Sequence, residues 1–420
     1  MNAIDHSIVA PLIRGLCMSA SKLPRAVIPG AGVSPAPAGC FEIDLTAALK
    51  SGALDEEAAA KALTEACDEW KFERAPSGAE ASGKAATVIL PSCVLVRAGG
   101  EEALYWSGAD LDEARARRDA NDASPWYVAK PAADARSLGS SAIARSSVVA
   151  NRIALVTGGA QGFGEEIVRG LAASGASVFI ADLNLAGAEK LAAELNAERG
   201  KTVAIALASN VADEASVEAM FRLIAETAGG LDLCVSNAGV LKAAGVLEQD
   251  LAAFKFVTDV NYTGFFIVSK HCGRLMRRQN RTAPQWKTDI VQINSKSGLE
   301  GSNKNGAYAG GKFGSIGLVA SFALELVEYG IKVNAICPGN FFDGPLWSDP
   351  EKGLFIQYLK TGKVPGAKTV ADVKAFYEAK VPMKRGCEGA DVMRALYYII
   401  EQEYETGQAV PVTGGQVMLH

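Results

Sequence analysis

From Arg152 onward, short β-branched runs alternate with helical stretches. The runs are RIALVT, SVFIAD, TVAIAL, LDLCVS, DIVQIN and IKVNAI. A strand that enters at one edge, returns through a helix and pairs in parallel must be buried on both faces, so each run is continuously apolar. The repetition predicts an α/β fold, a Rossmann-type doubly wound parallel sheet with helices on both sides. No other feature of the chain restricts its architecture as much.

The 420 residues suffice for two domains. Residues 1–136 read as a smaller N-terminal α+β domain, 137–150 (SLGSSAIARSSVVA) as a linker, and 151–420 as the sheet domain. In the first part LDEEAAAKALTEACDEWKFE and ADLDEARARRDA read as helices, the latter starting near Asp110. ATVIL and CVLVR read as strands. Pro29, Gly30, Gly32, Pro35 and Pro37 mark a loop, and no catalytic constellation is visible there. The opening MNAIDHSIVAPLIRGLCMSASKLPR has an apolar patch that Arg14 interrupts, which argues against a secretory signal and leaves a transit peptide as an alternative. No run reaches the ~18 apolar residues of a membrane span.

A net charge of −5 provides no broad basic field, so neither nucleic acid nor an anionic membrane is expected as a partner. The eight cysteines form no C-x-x-C pair and read as free thiols in a reducing, cytoplasmic setting. His6, His271 and His420 lie far apart, which disfavours a histidine metal site or a Ser-His-Asp triad.

Between the first predicted strand and helix of the sheet domain lies TGGAQGFG, with Gly158, Gly162 and Gly164. Glycines there let the backbone turn tightly and approach a pyrophosphate, while the helix start offers free N–H groups and a positive dipole end. Asp182 ends the next strand, where a carboxylate can accept from adenosine ribose hydroxyls and repel a 2′-phosphate. This predicts NAD as the cofactor. SNAG (Ser236 to Gly239) and Asn210 fall after later strands and line the same cleft in this reading. The competing role for each is turn formation alone.

In INSKSGLEGSNKNGAYAGGK, Ser295 ends a strand, and Tyr308 and Lys312 lie one turn apart on a helix. A free tyrosine has a pKa of about 10. The expectation is that the Lys312 ammonium lowers it and makes Tyr308 a general base for alcohol oxidation, or an acid for ketone reduction. Ser295 would hold the substrate oxygen. Each residue alone could be a surface or capping residue; together with the glycine turn they form a catalytic set.

TGGAQGFG, SNAG, Asn261 in DVNYTG, Ser295, YAGGK and CPGN together resemble the short-chain dehydrogenase/reductase family, from about Asn151 to Leu419. The resemblance implies that Lys312 grips the nicotinamide ribose, that Asn261 helps retain a proton-relaying water, and that hydride passes directly between substrate and nicotinamide. It also implies cofactor contacts by Phe163, Val211, Asn237, Ala238, Gly239, Pro338 and Gly339. Three departures stand out: Asn210 where many members have Asp, SNAG for N-N-A-G, and Asn294 for a common serine. INSKSG, VPMKRGC and TGQAVPVTGGQVML resemble members acting on sorbitol 6-phosphate.

Residues of about 340–387, aromatic and broken by Gly and Pro, are expected to form a substrate lid. Lys296, Lys304, Lys384 and Arg385 are candidate partners for a sugar phosphate, and Lys296 adjoins the serine. The family resemblance further implies a homodimer or homotetramer. The alternatives are a dehydrogenase of another polyol, sugar or secondary alcohol, and a non-catalytic nucleotide-binding scaffold.

Overall fold

A computed structural model describes residues 4–21, 25–30, 36–37, 40–74, 87–123, 126–129, 145–351, 353–360, 362 and 364–418. Gly32, Pro35 and residues 137–144 of the expected linker lie outside these; residues 145–149 form a short 3-10 turn.

The chain opens with α1 (His6–Ser21), whose start is held by the Asp5 carboxylate accepting from Ser7 N at 2.8 Å. Then come β1 (Ala26–Pro29), β2 (Phe41–Asp44), the small hairpin β3 (Leu49–Lys50) and β4 (Ala53–Leu54), and α2 (Glu56–Arg74). They are followed by β5 (Thr87–Leu90), β6 (Cys93–Ala98), β7 (Glu101–Gly108), α3 (Leu111–Ala120) and β8 (Trp126–Ala129). The principal sheet has the order β1-β7-β6-β2, with β2 parallel to β6 and the other pairs antiparallel; β5 pairs with β8. Asp110 caps α3, accepting from Glu113 N at 3.0 Å, where its sequence places a helix start.

Helix α1 is the element that the sequence hides. Arg14 does not break it but is fully buried, 2.6 Å from Asp232 in the sheet domain, with Gln279 and the Arg25 carbonyl as further partners. A Cβ on Gly15 would lie 1.9 Å from Gln279 O, so only glycine permits this close approach. Ile28, Leu104, Trp106 and Leu111 continue into one apolar cluster with Leu155, Phe221 and Ile224 of the sheet domain.

That domain runs β9 (Ile153–Thr157), α4 (Gly162–Ala173), β10 (Ser177–Asp182), α5 (Leu185–Arg199), β11 (Ala204–Ala208) and α6 (Glu214–Ala228). It continues with β12 (Leu233–Ser236), α7 (Leu251–Thr258), a π turn at Asp259–Thr263, α8 (Gly264–Arg281), β13 (Thr288–Ile293), α9 (Gly306–Leu326) and β14 (Ile331–Pro338). It ends with α10 (Pro345–Ser348), α11 (Leu354–Lys360), α12 (Val370–Ala379), α13 (Gly389–Glu401) and β15 (Ala409–Val412). The seven strands are all parallel in the order β11-β10-β9-β12-β13-β14-β15. One face is covered by α6, α8 and α9, the other by α4, α5 and α13. Strand order reverses between β9 and β12, and a crevice opens beyond their carboxyl ends.

By length and composition, the segments Leu251–Arg281 and Gly306–Tyr329 are apolar enough to cross a membrane, which a search for uninterrupted apolar runs does not detect. Both are sheet-covering helices here, burying Phe265, Val268, Leu275, Val319 and Ala323 in the core. Between β14 and α13, helices α10 to α12 enclose a small core of Phe342, Phe355, Val364, Val373 and Val381, joined by Trp347.

Candidate active site

The glycine turn sits where β9 gives way to α4. Gly158 and Gly162 have φ of +62° and +61°, a left-handed conformation that disfavours side chains. A Cβ on Gly164 would lie 2.0 Å from Gly158 O and 2.6 Å from Asn237 Nδ2, so this glycine serves the packing of α4 onto the turn. A Cβ on Gly162 would meet nothing nearer than Pro345 Cδ at 3.9 Å. No side chain caps the start of α4, which leaves its first N–H groups free for an anion. This cradle fits the pyrophosphate of a dinucleotide. Phe163 stacks on Phe341 with ring centroids 4.3 Å apart, linking the turn to the base of the expected lid.

Asp182 ends β10 beside that turn, its two oxygens accepting from Ala160 N at 3.0 Å and Asn184 N at 2.9 Å. Asn237 is a brace: its Nδ2 donates to Thr157 O at 3.1 Å and Gly158 O at 2.9 Å. Thr157, which the sequence reading misses, accepts through Oγ1 from the backbones of Asn237 and Ala238 at 3.1 and 3.2 Å. Asn210 turns its Oδ1 to Ala212 N at 3.1 Å, and Val211 is buried against Gly264. Pro338 ends β14, and Gly339 N donates to Val412 O at 2.9 Å.

Ser295, Tyr308 and Lys312 come together at the carboxyl end of β13. The Tyr308 hydroxyl neighbours Ser295, whose Oγ accepts from Ser297 N at 3.1 Å. The Lys312 ammonium donates to Ile293 O at 2.8 Å and lies 5.6 Å from the centre of the Tyr308 ring. Asn261, in the π turn, is clamped to Val240, accepting from its N at 2.9 Å and donating to its O at 2.7 Å. Its own carbonyl accepts from Ser315 Oγ at 3.3 Å.

The electrostatics correct the sequence expectation. Burial raises the Tyr308 pKa above its ordinary value, and the neighbouring Ser295 offsets this only in part. Lys312 is itself pushed down to about 8 by burial. Its ammonium lies over the ring and is held by a carbonyl, so the desolvation of a phenolate outweighs the cation. Cys337 on β14 also faces this set; burial lifts its thiol to about 11, against the pull of Lys312 and the Ser295 N–H. Its strand partner is distant in sequence, so no local spacing points to it.

The candidate phosphate cations are dispersed. Lys296 lies 3.6 Å from Glu300, and Lys304 is exposed with φ +55°. Lys384 donates to Ala379 O at 2.8 Å, and Arg385 grips Asp391 through two bonds of 2.6 and 3.0 Å. A cavity of about 400 Å³ beside Arg385, lined also by Cys387, Arg394 and Thr413, contains none of the serine, tyrosine and lysine set.

A doubly wound parallel sheet, an uncapped helix behind a glycine turn, and a tyrosine–lysine pair facing a serine define a nicotinamide-dependent oxidoreductase acting on CH–OH groups. The model of the short chain dehydrogenase family matches residues 152–347. The chain belongs to the short-chain dehydrogenase/reductase family. It is 39% identical over 271 residues to sorbitol-6-phosphate 2-dehydrogenase of Escherichia coli (strain K12), covering 64% of this chain and 99% of that one. Against galactitol 2-dehydrogenase of Agrobacterium fabrum it is 30% identical over 270 residues, 64% of this chain and 98% of the relative. The crystal structure of sorbitol-6-phosphate 2-dehydrogenase SrlD from Erwinia amylovora superposes with a TM-score of 0.58 at 40% identity, covering 63% of this chain and all of that one. A Pseudomonas aeruginosa RhlG/NADP active-site complex superposes with a TM-score of 0.56 at 25% identity, covering 65% of this chain and 99% of that one.

Proposed function

We propose that the chain is an NAD-dependent polyol-phosphate dehydrogenase that interconverts sorbitol 6-phosphate and fructose 6-phosphate. The observation that carries the reading is the convergence of Ser295, Tyr308 and Lys312 beside the glycine cradle. When bound, NAD supplies the hydride acceptor and the positive charge of its ring. Ser295 holds the carbinol oxygen; Tyr308 takes its proton as the phenolate during oxidation, and its hydroxyl returns it during reduction. Lys312 and the clamped Asn261 then lead the proton toward solvent. Asp182, fixed by two backbone donors, favours an unphosphorylated ribose and hence NAD. The family includes NADP users, so this carboxylate rather than membership supports the choice.

Relatives named for sorbitol 6-phosphate and galactitol support a polyol substrate. Lys296, next to Ser295, is the candidate cation for its phosphate, with Lys304 second; Arg385 is already committed to Asp391. The exposed apolar side chains Phe266, Phe313 and Leu324 on α8 and α9 support a homodimer or homotetramer, and the scattered free thiols support a cytoplasmic setting. Absorbance of NADH formed from a polyol panel, with NAD and NADP in parallel, tests the reading. Tyr308→Phe should still bind NAD yet lose most turnover; undiminished activity would refute the role. Equal efficiency with fructose and fructose 6-phosphate would remove the phosphate.

A further inference from the structure

Asn294 precedes the serine at the end of β13 and is 4% exposed. Its Oδ1 accepts from Ser295 N at 2.8 Å, while its Nδ2 donates to Lys312 O at 3.0 Å and Gln292 Oε1 at 2.8 Å. Its backbone N donates to Ile336 O at 2.7 Å, tying the same residue to β14. One carboxamide therefore joins the segment carrying Ser295 to the helix carrying Tyr308 and Lys312. The Lys312 ammonium returns to Ile293 O at 2.8 Å, so α9 is linked to the end of β13 twice.

The space for this amide is itself specific. A Cβ on Gly298 would stand 2.1 Å from Asn294 Oδ1 and 3.1 Å from Lys312 O. Gly298 has no positive φ, so its lack of a side chain answers to the carboxamide and not to backbone strain. Both amide atoms of Asn294 are bonded within the protein, so it has no role in touching substrate. A serine hydroxyl at this position is too short to reach Ser295 N and Lys312 O together.

We propose that Asn294 is a positioning residue of the dehydrogenase site, setting the distance between the serine hydroxyl and the tyrosine–lysine helix, with Gly298 as its steric counterpart. This rests on the reading of Ser295, Tyr308 and Lys312 as the reacting set. A misplacement of about 1 Å costs on the order of 100-fold in rate. Asn294→Ala should therefore lower kcat by about 10- to 100-fold and leave the dissociation constant for NAD within about twofold. Asn294→Ser should lie between the two. Gly298→Ala, which forces the amide to move, should also lower kcat.

Asn280 is the control. It is a buried amide on α8 that bonds Thr288 Oγ1 and Tyr329 O, away from the site. Asn280→Ala should lower the melting temperature at least as much, yet keep kcat within about twofold when assayed well below that temperature. If Asn294→Ala does not fold, Asn294→Ser carries the comparison, with a fall of at least about fivefold expected. A parental kcat in the Asn294 variants, with Tyr308→Phe inactive, would overturn the positioning role and leave the proposed chemistry standing. A fully active Tyr308→Phe would overturn the chemistry itself.

Discussion

A buried ammonium carries a cost that depends on pH, and Lys312 makes it measurable. An unfolded lysine keeps its proton to about pH 10.5, whereas Lys312 in the fold releases it near 8. Between these values the unfolded chain binds the extra proton, so stability rises with pH across that window. The penalty is fully present below pH 8 and amounts to about 3 kcal/mol. In the absence of nucleotide, Lys312→Met should thus have its largest relative advantage near pH 7, and the difference from the parent should narrow steadily from pH 8 to 10.5. Denaturant unfolding of both proteins over that range checks this; a gap independent of pH would contradict it. Sequence spacing makes Tyr308 and Lys312 legible as neighbours because a helix turn is a local rule. It says nothing of how deeply they are buried, so the direction of the tyrosine shift is not legible, and neither are the contributions of Thr157 and Cys337 from other strands.

The strands of the sheet domain are legible because burial on both faces demands continuous apolar runs, and each predicted run lies on a strand with ends shifted by one or two residues. β15 appears in the sequence only as a motif string, because a four-residue edge strand with an exposed proline lacks that signature. Asp182 owes its place to the end of β10, and its effect belongs to that strand's junction with the glycine turn. Asp182→Ser should raise the efficiency with NADP relative to NAD by at least about tenfold, measured as the ratio of kcat/KM values. An unchanged ratio would mean that nucleotide choice lies elsewhere. The insertion after β14 is held differently, by Trp347 packed at 5.0 to 5.2 Å against Phe342, Phe355 and Tyr377. Trp347→Ala should loosen this segment, raising KM for the proposed polyol-phosphate substrate by about tenfold while the NAD dissociation constant stays within about twofold. An unaltered KM would show that the segment does not cover the substrate.

At the scale of the whole molecule, the question is how the N-terminal residues and the sheet domain hold together. Arg14 reads as a break in an apolar patch because its partner is 218 positions away, beyond any local pattern. In the fold its guanidinium meets Asp232, whose carboxylate also accepts from Ile153 N at 2.8 Å and Trp286 Nε1 at 3.1 Å at the base of the sheet. Removing one member of such a buried pair strands the other charge, at a cost of about 3–5 kcal/mol. Arg14→Met should therefore destabilise the chain by about that amount, although methionine nearly fills the space. Asp232→Asn keeps an acceptor for Ile153 N, and adding it to Arg14→Met should recover a substantial part of the loss by discharging the stranded carboxylate. Because the two regions share one apolar cluster, the parent should show one calorimetric transition, and Arg14→Met should lower it without splitting it. Two separate transitions in the parent, with Arg14→Met shifting only one, would mean that α1 is an attachment and that the catalytic sheet stands without it.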